Sequence, residues 1–509
     1  MAASHSTSLA RRLDPLVANG MSDEAKKGDG EKKKRPDKPP PVERTVTSKH
    51  SVTIGDEVVH YTATAGTIFL RDAEDEPRAE VFYVSYTRDV DDTSARPVTF
   101  AFNGGPGSSA VWLHLGTLGP RRVEVQDAGP SRPPPNRIIE NGQSILDVSD
   151  LVFIDPVGTG WSRVLGETKA AEFHSVKNDV TSVAEVIQRW TSRNGRWSSP
   201  RFIAGESYGT TRAASLAAHL SLDGMMINGV ALVSAALMFQ TIVFETGNDL
   251  PYVLYLPGYA ATAAYHGKLA TPPADLHAFL RDVETFAIEE YAPALMLGSS
   301  LPEGRRDELA KALAGMTGLD PALWRRHELR IDLSRFCREL LREEGEIVGR
   351  LDSRFRGILA EDADDPAEQD PSLFFPYGPY TSAIQDYLRR ELGYEEERRY
   401  EVLSFSVNEG WKWSDEKRFG FINAASDLRR AMVQNPHLSV LFANGRYDLA
   451  TPYFASMHTA RHLGREPSIR RNVHETFYEA GHMMYLHEPS RAKLRDDLVA
   501  LITGWSGRT

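Results

Sequence analysis

Ser207 stands at the centre of Gly205-Glu-Ser-Tyr-Gly209, between an apolar run at 201–204 and a helix-forming stretch at 210–220. A serine flanked by glycines at a strand-to-helix turn has its hydroxyl lifted clear of the backbone, since no side chain crowds the bend. Such a hydroxyl becomes a nucleophile once a base takes its proton, and histidine is the side chain matched to neutral pH. Among the fifteen histidines, His482 is the best placed, on a loop freed by Ala480-Gly481 after the strand expected at 473–478. His474 begins that strand and is expected to face solvent. His487 precedes Glu488-Pro489, where a helix entry is expected. A carboxylate must orient the imidazole and stabilise its charged form. Asp448 follows the apolar run 438–443 through Asn444-Gly445, at the carboxyl end of a strand, whereas Asp415 and Asp427 precede that strand.

Serine, aspartate and histidine follow here in the chain order of the α/β-hydrolase triad. Upstream, Asn103-Gly-Gly-Pro-Gly107 follows the apolar run 98–102. Consecutive glycines let the backbone approach a ligand closely, and the amides of Gly105 and Tyr208 are the candidates for holding an oxyanion. A phosphate-cradling loop is excluded, because no Lys-Ser or Lys-Thr follows and Pro106 lacks an N–H. His482 and His487 have the wrong spacing for a helical metal-binding pair and no supporting carboxylate cluster. No metal and no cofactor are expected.

The surrounding pattern supplies elements to position these groups. Residues 50–88 alternate apolar and polar, with Gly55, Gly66 and an acidic stretch at 72–76 as breaks, and predict two or three antiparallel strands. Four later apolar runs, at 98–102, 151–154, 202–204 and 230–234, are short and continuous, as strands buried on both faces of a parallel sheet are. A helical pattern at 172–193 lies between the second and third, and strand–helix–strand alternation makes an α/β sheet. Residues 237–400 break the alternation. Helical spacing there at 275–290, 305–315, 334–352 and 380–392 predicts a helical insertion, for which a lid is the natural role. The sheet resumes at 438–443 and 473–478, and a terminal helix is expected at 490–503. The division is a polar tail at 1–48, a first part of the α/β-hydrolase domain at 49–236, the insertion at 237–400, and a second part at 401–509.

Composition narrows the classes. A formal charge of −11 and scattered aromatics argue against a nucleic-acid partner. The one cysteine, Cys337, excludes an intrachain disulfide, and it lies in the helical-looking run 333–350 as a small packed residue. No stretch reaches the roughly 18 apolar residues of a membrane helix. The tail carries Glu31-Lys-Lys-Lys-Arg35 and Arg11-Arg12 but no apolar signal core, so the cytoplasm is the expected compartment, with export by a signal outside this chain as the alternative.

Five ordered segments resemble the serine carboxypeptidase family: Phe102-Asn-Gly-Gly-Pro-Gly-Ser-Ser109, Asp155-Pro-Val-Gly-Thr-Gly-Trp-Ser162, Gly205-Glu-Ser-Tyr-Gly209, Asn444-Gly-Arg-Tyr-Asp448 and Ala480-Gly-His-Met483. The resemblance implies an α/β-hydrolase with Ser207, Asp448 and His482 as triad and Gly105 with Tyr208 as oxyanion donors. It also implies Asn103 and Glu206 as the pair that binds the substrate's terminal carboxylate. Glu206 can meet a carboxylate only by sharing a proton, because two ionised carboxylates in contact repel, so activity favoured at acidic pH is expected. The sequence departs from the family where Ala101 replaces a common tryptophan and Thr117 a common glutamate, both of which support the carboxylate site in relatives. Ser108 replaces a disulfide cysteine of eukaryotic members, which fits a bacterial or reducing setting. The expectation is a serine carboxypeptidase acting on peptide or protein C-termini through an acyl-enzyme. An esterase or acyltransferase with the same triad is the alternative, and a binding protein on an inactive scaffold is the rival from another class.

Overall fold

In the computed structural model, which describes residues 41–360, 369–413 and 420–504, the alternating N-terminal stretch forms three antiparallel strands. They are β1 (Thr45–Ile54), β2 (Glu57–Arg71) and β3 (Pro77–Arg88). The start of β1 corrects the expected tail boundary at 48: Thr45 to Ser48 already pair with Gly66 to Ala63 of β2. Thr45-Val-Thr47 is β-branched, and a partner strand outweighs polar composition there. The rest of the tail, with Arg11-Arg12 and Glu31–Arg35, and also Asp415, lie outside the described residues.

The continuous apolar runs become β4 (Val98–Phe102), β5 (Asp150–Ile154), β6 (Arg201–Glu206) and β7 (Gly229–Val233), followed by β8 (Ser439–Gly445) and β9 (Val473–Tyr478). Their order in space is β1-β2-β3-β5-β4-β6-β7-β8-β9. β3 meets β5 antiparallel, and every pairing from β5 to β9 is parallel. This mostly parallel sheet with its helices is the α/β-hydrolase fold.

The main helices are, in chain order, α1 (Val176–Arg193), α2 (Tyr208–Leu222), α3 (Leu250–Tyr265), α4 (Leu276–Phe286), α5 (Glu303–Thr317), α6 (Pro371–Asp386), α7 (Ala425–Gln434), α8 (Tyr453–Arg461) and α9 (Glu488–Thr503). β4, β5 and β7 are buried at every position because helices cover both faces. Phe100, Val152, Ile203 and Leu232 pack with α1, α2 and α7 on one face. Ala101, Leu151, Ala204 and Leu441 pack with α9 on the other. α1 starts at Val176, later than the expected 172, where the Ser175 hydroxyl accepts the Asn178 N–H at 3.3 Å.

The insertion has a core of its own, built by α3, α4, α5, Trp324 and the buried Cys337, and it runs on into Tyr453 and Phe454 of α8. Two expectations for it are corrected. The helix predicted at 334–352 stops at Glu339, Gly345 adopts φ 71°, and strands 346–348 and 356–358 form a hairpin. A left-handed glycine ends a helix, and Ile347-Val348 favours a strand. α3, unpredicted, is apolar almost all round, and Pro257 in its interior reads in sequence as a helix breaker. Among the described residues, no helix is long and apolar enough to cross a membrane.

At the start of β5 the fully buried Asp150 gathers three donors: the Arg88 N–H at 2.9 Å, Arg96 Nε at 2.7 Å and the buried Arg196 guanidinium. Removing one partner of such a cluster strands the rest without compensation. Asp150→Ala is expected to cost about 3–5 kcal/mol, read as a lower urea midpoint, with Asp150→Asn less damaging. An unchanged midpoint for the alanine variant would show that the arginines find water instead.

Candidate active site

β6 ends at Glu206 and α2 begins at Tyr208, so Ser207 alone makes the turn, at φ 59° and ψ −129°. That conformation costs a non-glycine residue about 1–3 kcal/mol and persists only where its surroundings over-determine it. Here the Ser207 N–H donates to the Val233 carbonyl at 3.0 Å, and the Ser207 carbonyl accepts the Thr210 N–H at 2.8 Å. A Cβ on Gly205 would collide with the Gly209 carbonyl, and one on Gly104 would lie 2.5 Å from the Tyr208 nitrogen. The glycine-rich loop and the serine turn therefore pack backbone against backbone, bringing the Gly105 and Tyr208 amides to the rim of one cavity of about 380 Å³.

Asp448, fully buried, accepts the Ala450 and Thr451 N–H groups on Oδ1 at 2.8 and 2.9 Å. Its Oδ2 accepts the Thr451 hydroxyl at 2.7 Å and meets His482 Nδ1 at 2.7 Å. With Nδ1 held by Asp448, Nε2 is the ring nitrogen left to take a proton from Ser207, and both residues line the cavity. Burial pulls the His482 pKa down, but the Asp448 carboxylate and its hydrogen bond, with Glu206 adding, raise it overall.

Asn103, Gly105, Glu206, Ser207, Tyr208 and His482 all line this cavity, and Asp448 lies behind His482. His474, expected to face solvent, is half-buried, because an edge strand still has one covered face. His487 Nδ1 pairs with the Ser490 hydroxyl at 2.8 Å at the entry of α9. Neither lines the cavity.

Glu206 is buried, and burial lifts its carboxyl to about 7 although the charge of His482 and hydrogen bonds from Tyr485 and Asn103 pull it down. The Tyr485 hydroxyl donates to both carboxyl oxygens, at 2.9 and 3.1 Å. Asn103 is itself fixed, its Oδ1 accepting the Leu113 N–H at 3.0 Å. Of the two departures, Ala101 packs in the core, and Thr117 is buried with its hydroxyl unpartnered. Tyr485, three positions past His482, supports the glutamate instead, and nothing in its sequence context marks it.

Two further groups of residues, which no sequence motif marks, hold the site. Buried Arg212 donates to Asp179 at 2.7 Å and to the Asn103 carbonyl at 2.7 Å, while the Tyr208 hydroxyl meets Asp179 at 3.0 Å. One ion pair thus braces both the glycine-rich loop and the start of α2. The second is the hairpin of the insertion. The Leu351 carbonyl accepts the His482 N–H at 2.6 Å, Asp352 Oδ2 the Gly481 N–H at 2.9 Å, and the Arg350 carbonyl the Leu449 N–H at 3.1 Å. Arg354 grips Asp352 through Nε and Nη2, at 3.0 and 2.7 Å. A segment of the insertion therefore clamps both the aspartate loop and the histidine loop.

A family model described as serine carboxypeptidase matches residues 57–229. That segment holds the motifs at 102–109, 155–162 and 205–209, so the resemblance carried by those motifs is borne out there. No curated protein sequence matches the chain. Among solved structures, a proline iminopeptidase of Mycobacterium smegmatis is similar at 13% identity and TM-score 0.35, over 90% of this chain and 98% of that one. A carboxyl esterase of Bacillus coagulans is similar at 13% and 0.34, over 86% and 97%. A peroxisomal alpha-beta-hydrolase of Saccharomyces cerevisiae is similar at 10% and 0.35, over 91% and 90%. At these scores the likenesses add nothing to the strand order. The family match and the arrangement of the site make the chain a hydrolase of the α/β-hydrolase fold.

The hairpin clamp has a measurable consequence. Asp352→Ala frees the His482 loop, and misplacing a base by about 1 Å costs on the order of 100-fold. The rate at which a fluorophosphonate labels Ser207 is expected to fall roughly 10- to 100-fold. Asp127→Ala, which touches only the outer side of Arg354 at 2.9 Å, serves as the control and should label like the parent. Equal labelling of both variants would show that the clamp does not position the base.

Proposed function

We propose that this chain is a serine carboxypeptidase that releases the last residue of a peptide through an acyl-enzyme. The observation that carries this reading is Glu206, a buried carboxyl beside Ser207 whose proton is held up to about 7, in contact with Asn103. A simple esterase has no use for a half-protonated carboxyl at that place. A substrate ending in a free carboxylate does, because the shared proton turns repulsion into a short, charge-assisted hydrogen bond.

In the reaction Ser207 Oγ attacks the last peptide carbonyl as His482 takes its proton, and the Gly105 and Tyr208 amides receive the oxyanion. The tetrahedral intermediate collapses by breaking the C–N bond, and His482 returns the proton to the departing amine. Water then enters, loses its proton to His482 and hydrolyses the ester, regenerating Ser207. Glu206 and His482 compete for a proton throughout. Ionised Glu206 raises the His482 pKa, and protonated His482 lowers that of Glu206. A bound substrate carboxylate favours the proton on Glu206, which leaves His482 neutral and able to act as base.

The pH dependence follows with a definite sign. Above about 7 Glu206 ionises and repels the substrate carboxylate, so kcat/KM for a free-acid substrate falls as pH rises through that range. The Tyr485 bond stabilises the ionised form, so Tyr485→Phe moves the alkaline limb to higher pH. A limb that stays in place would show that Glu206 does not govern it.

The primary test is hydrolysis of a blocked dipeptide against its C-terminal amide, by the parent and by Ser207→Ala. Cleavage of the acid far above the amide, lost on mutation, is expected. Equal cleavage of both would make the chain a broader peptidase or amidase. A simple ester hydrolysed while neither peptide is cut would transfer the assignment to an esterase.

A further inference from the structure

One wall of the cavity comes from the insertion, and it brings in Arg350, the one arginine or lysine among the described residues that line the space. Its backbone is fixed on both sides: its N–H donates to Asp370 Oδ1 at 3.1 Å and its carbonyl accepts the Leu449 N–H. Its side chain is not. Nε is buried without a hydrogen bond, and the nearest acid, Asp370 Oδ2, stands 3.8 Å away and is also unpartnered. Among the described residues the guanidinium makes no hydrogen bond at all, yet 40% of the side chain remains accessible.

Asp370 forms a loose ion pair with the guanidinium, Nε to Oδ2 at 3.8 Å, without a hydrogen bond. Its other oxygen is taken by the Arg350 and Ser372 N–H groups and by the Ser372 hydroxyl, which fixes it as the link between the hairpin and α6. A planar fork of five donors at a cavity wall, loosely ion-paired and making no hydrogen bond among the described residues, can take a carboxylate bidentately. The wall also tells which end of the substrate it faces. The lining that holds Arg350 also includes Leu373 and Phe374 of α6 and Trp112, and Trp112 adjoins Leu113, which fixes Asn103. In the carboxypeptidase reading Asn103 and Glu206 hold the substrate's terminal carboxylate, so Arg350 belongs to the leaving-group side.

We propose that Arg350 receives an acidic side chain on the leaving residue, giving this chain a preference for C-terminal glutamate or aspartate. The proposal rests on the carboxypeptidase reading for its substrate but on the cavity wall for its anion site, and two measurements separate them. The first is kcat/KM for blocked dipeptides Phe-Glu and Phe-Gln, with Glu-Phe and Gln-Phe as the acyl-side pair. The parent is expected to favour Phe-Glu over Phe-Gln by about 10-fold, because the neutral isostere cannot form the charge-assisted bidentate pair. The ratio should fall to about one in Arg350→Leu and stay intermediate in Arg350→Lys. The second measures how free glutamate, against glutamine, slows fluorophosphonate labelling of Ser207. Glutamate should protect the parent and not Arg350→Leu, and labelling without protectant confirms that the variant is folded. Protection without any peptide cleavage would keep the anion site and sink the carboxypeptidase reading. A Phe-Glu preference that survives in Arg350→Leu, or discrimination confined to the acyl-side pair, would overturn the proposal.

Discussion

The constraint on which the rest of the site depends is the close packing of two backbones, the loop 103–107 and the turn at Ser207. Gly104 faces the Tyr208 and Gly209 nitrogens and the Glu206 carbonyl at a separation no side chain permits. That close approach brings Gly105 and Tyr208, from different parts of the chain, to the wall of one cavity. The left-handed Ser207 is stabilised by the same packing, and it moves the hydroxyl out of the plane of β6 toward the cavity. The strained turn at Ser207 and the close approach of the glycine-rich loop are thus two aspects of one arrangement.

Around that junction the chain uses buried charge to fix direction. The Arg212–Asp179 pair is almost wholly enclosed, and an enclosed ion pair contributes little net stability over an apolar one of the same shape. What it supplies is geometry: a carbonyl on the glycine-rich loop and the Tyr208 hydroxyl share one rigid anchor. Asp352 and Arg354 do the equivalent for the histidine loop. The insertion is therefore a working wall of the site, since the Leu351 carbonyl at the head of the clamp holds the His482 N–H while the Ser234 hydroxyl holds its carbonyl.

Legibility in the sequence follows the range of the forces involved. Ser207, Asp448 and His482 are readable because the turns that present them impose local demands, a glycine here and an asparagine–glycine there, that leave a short signature. The buried strands are readable for the same reason. The true start of β1 is not, since pairing with Gly66 overrides the polarity of Thr45 to Ser48. Tyr485, Arg212 and Asp352 leave no signature, because their partners lie far along the chain: Asp352 and Gly481 are 129 positions apart. The first strand of the hairpin, 346–348, reads as helix because charged residues every few positions across 334–352 imitate a solvated helical face. α3 escapes for the opposite reason, a buried helix with no polar face and a proline inside it.

Three ionisable groups face one cavity, and their signs explain why they can coexist. Glu206 is kept near half-protonation by burial, which a fully apolar surround would push further toward the neutral form and the Tyr485 and Asn103 bonds pull back. His482 is raised by Asp448, yet Arg350 works against that rise. The cation at the insertion wall therefore disfavours the charged form of His482. Tyr485 supports Glu206 with a hydroxyl that burial pushes well above its ordinary value, so that proton does not titrate where Glu206 does.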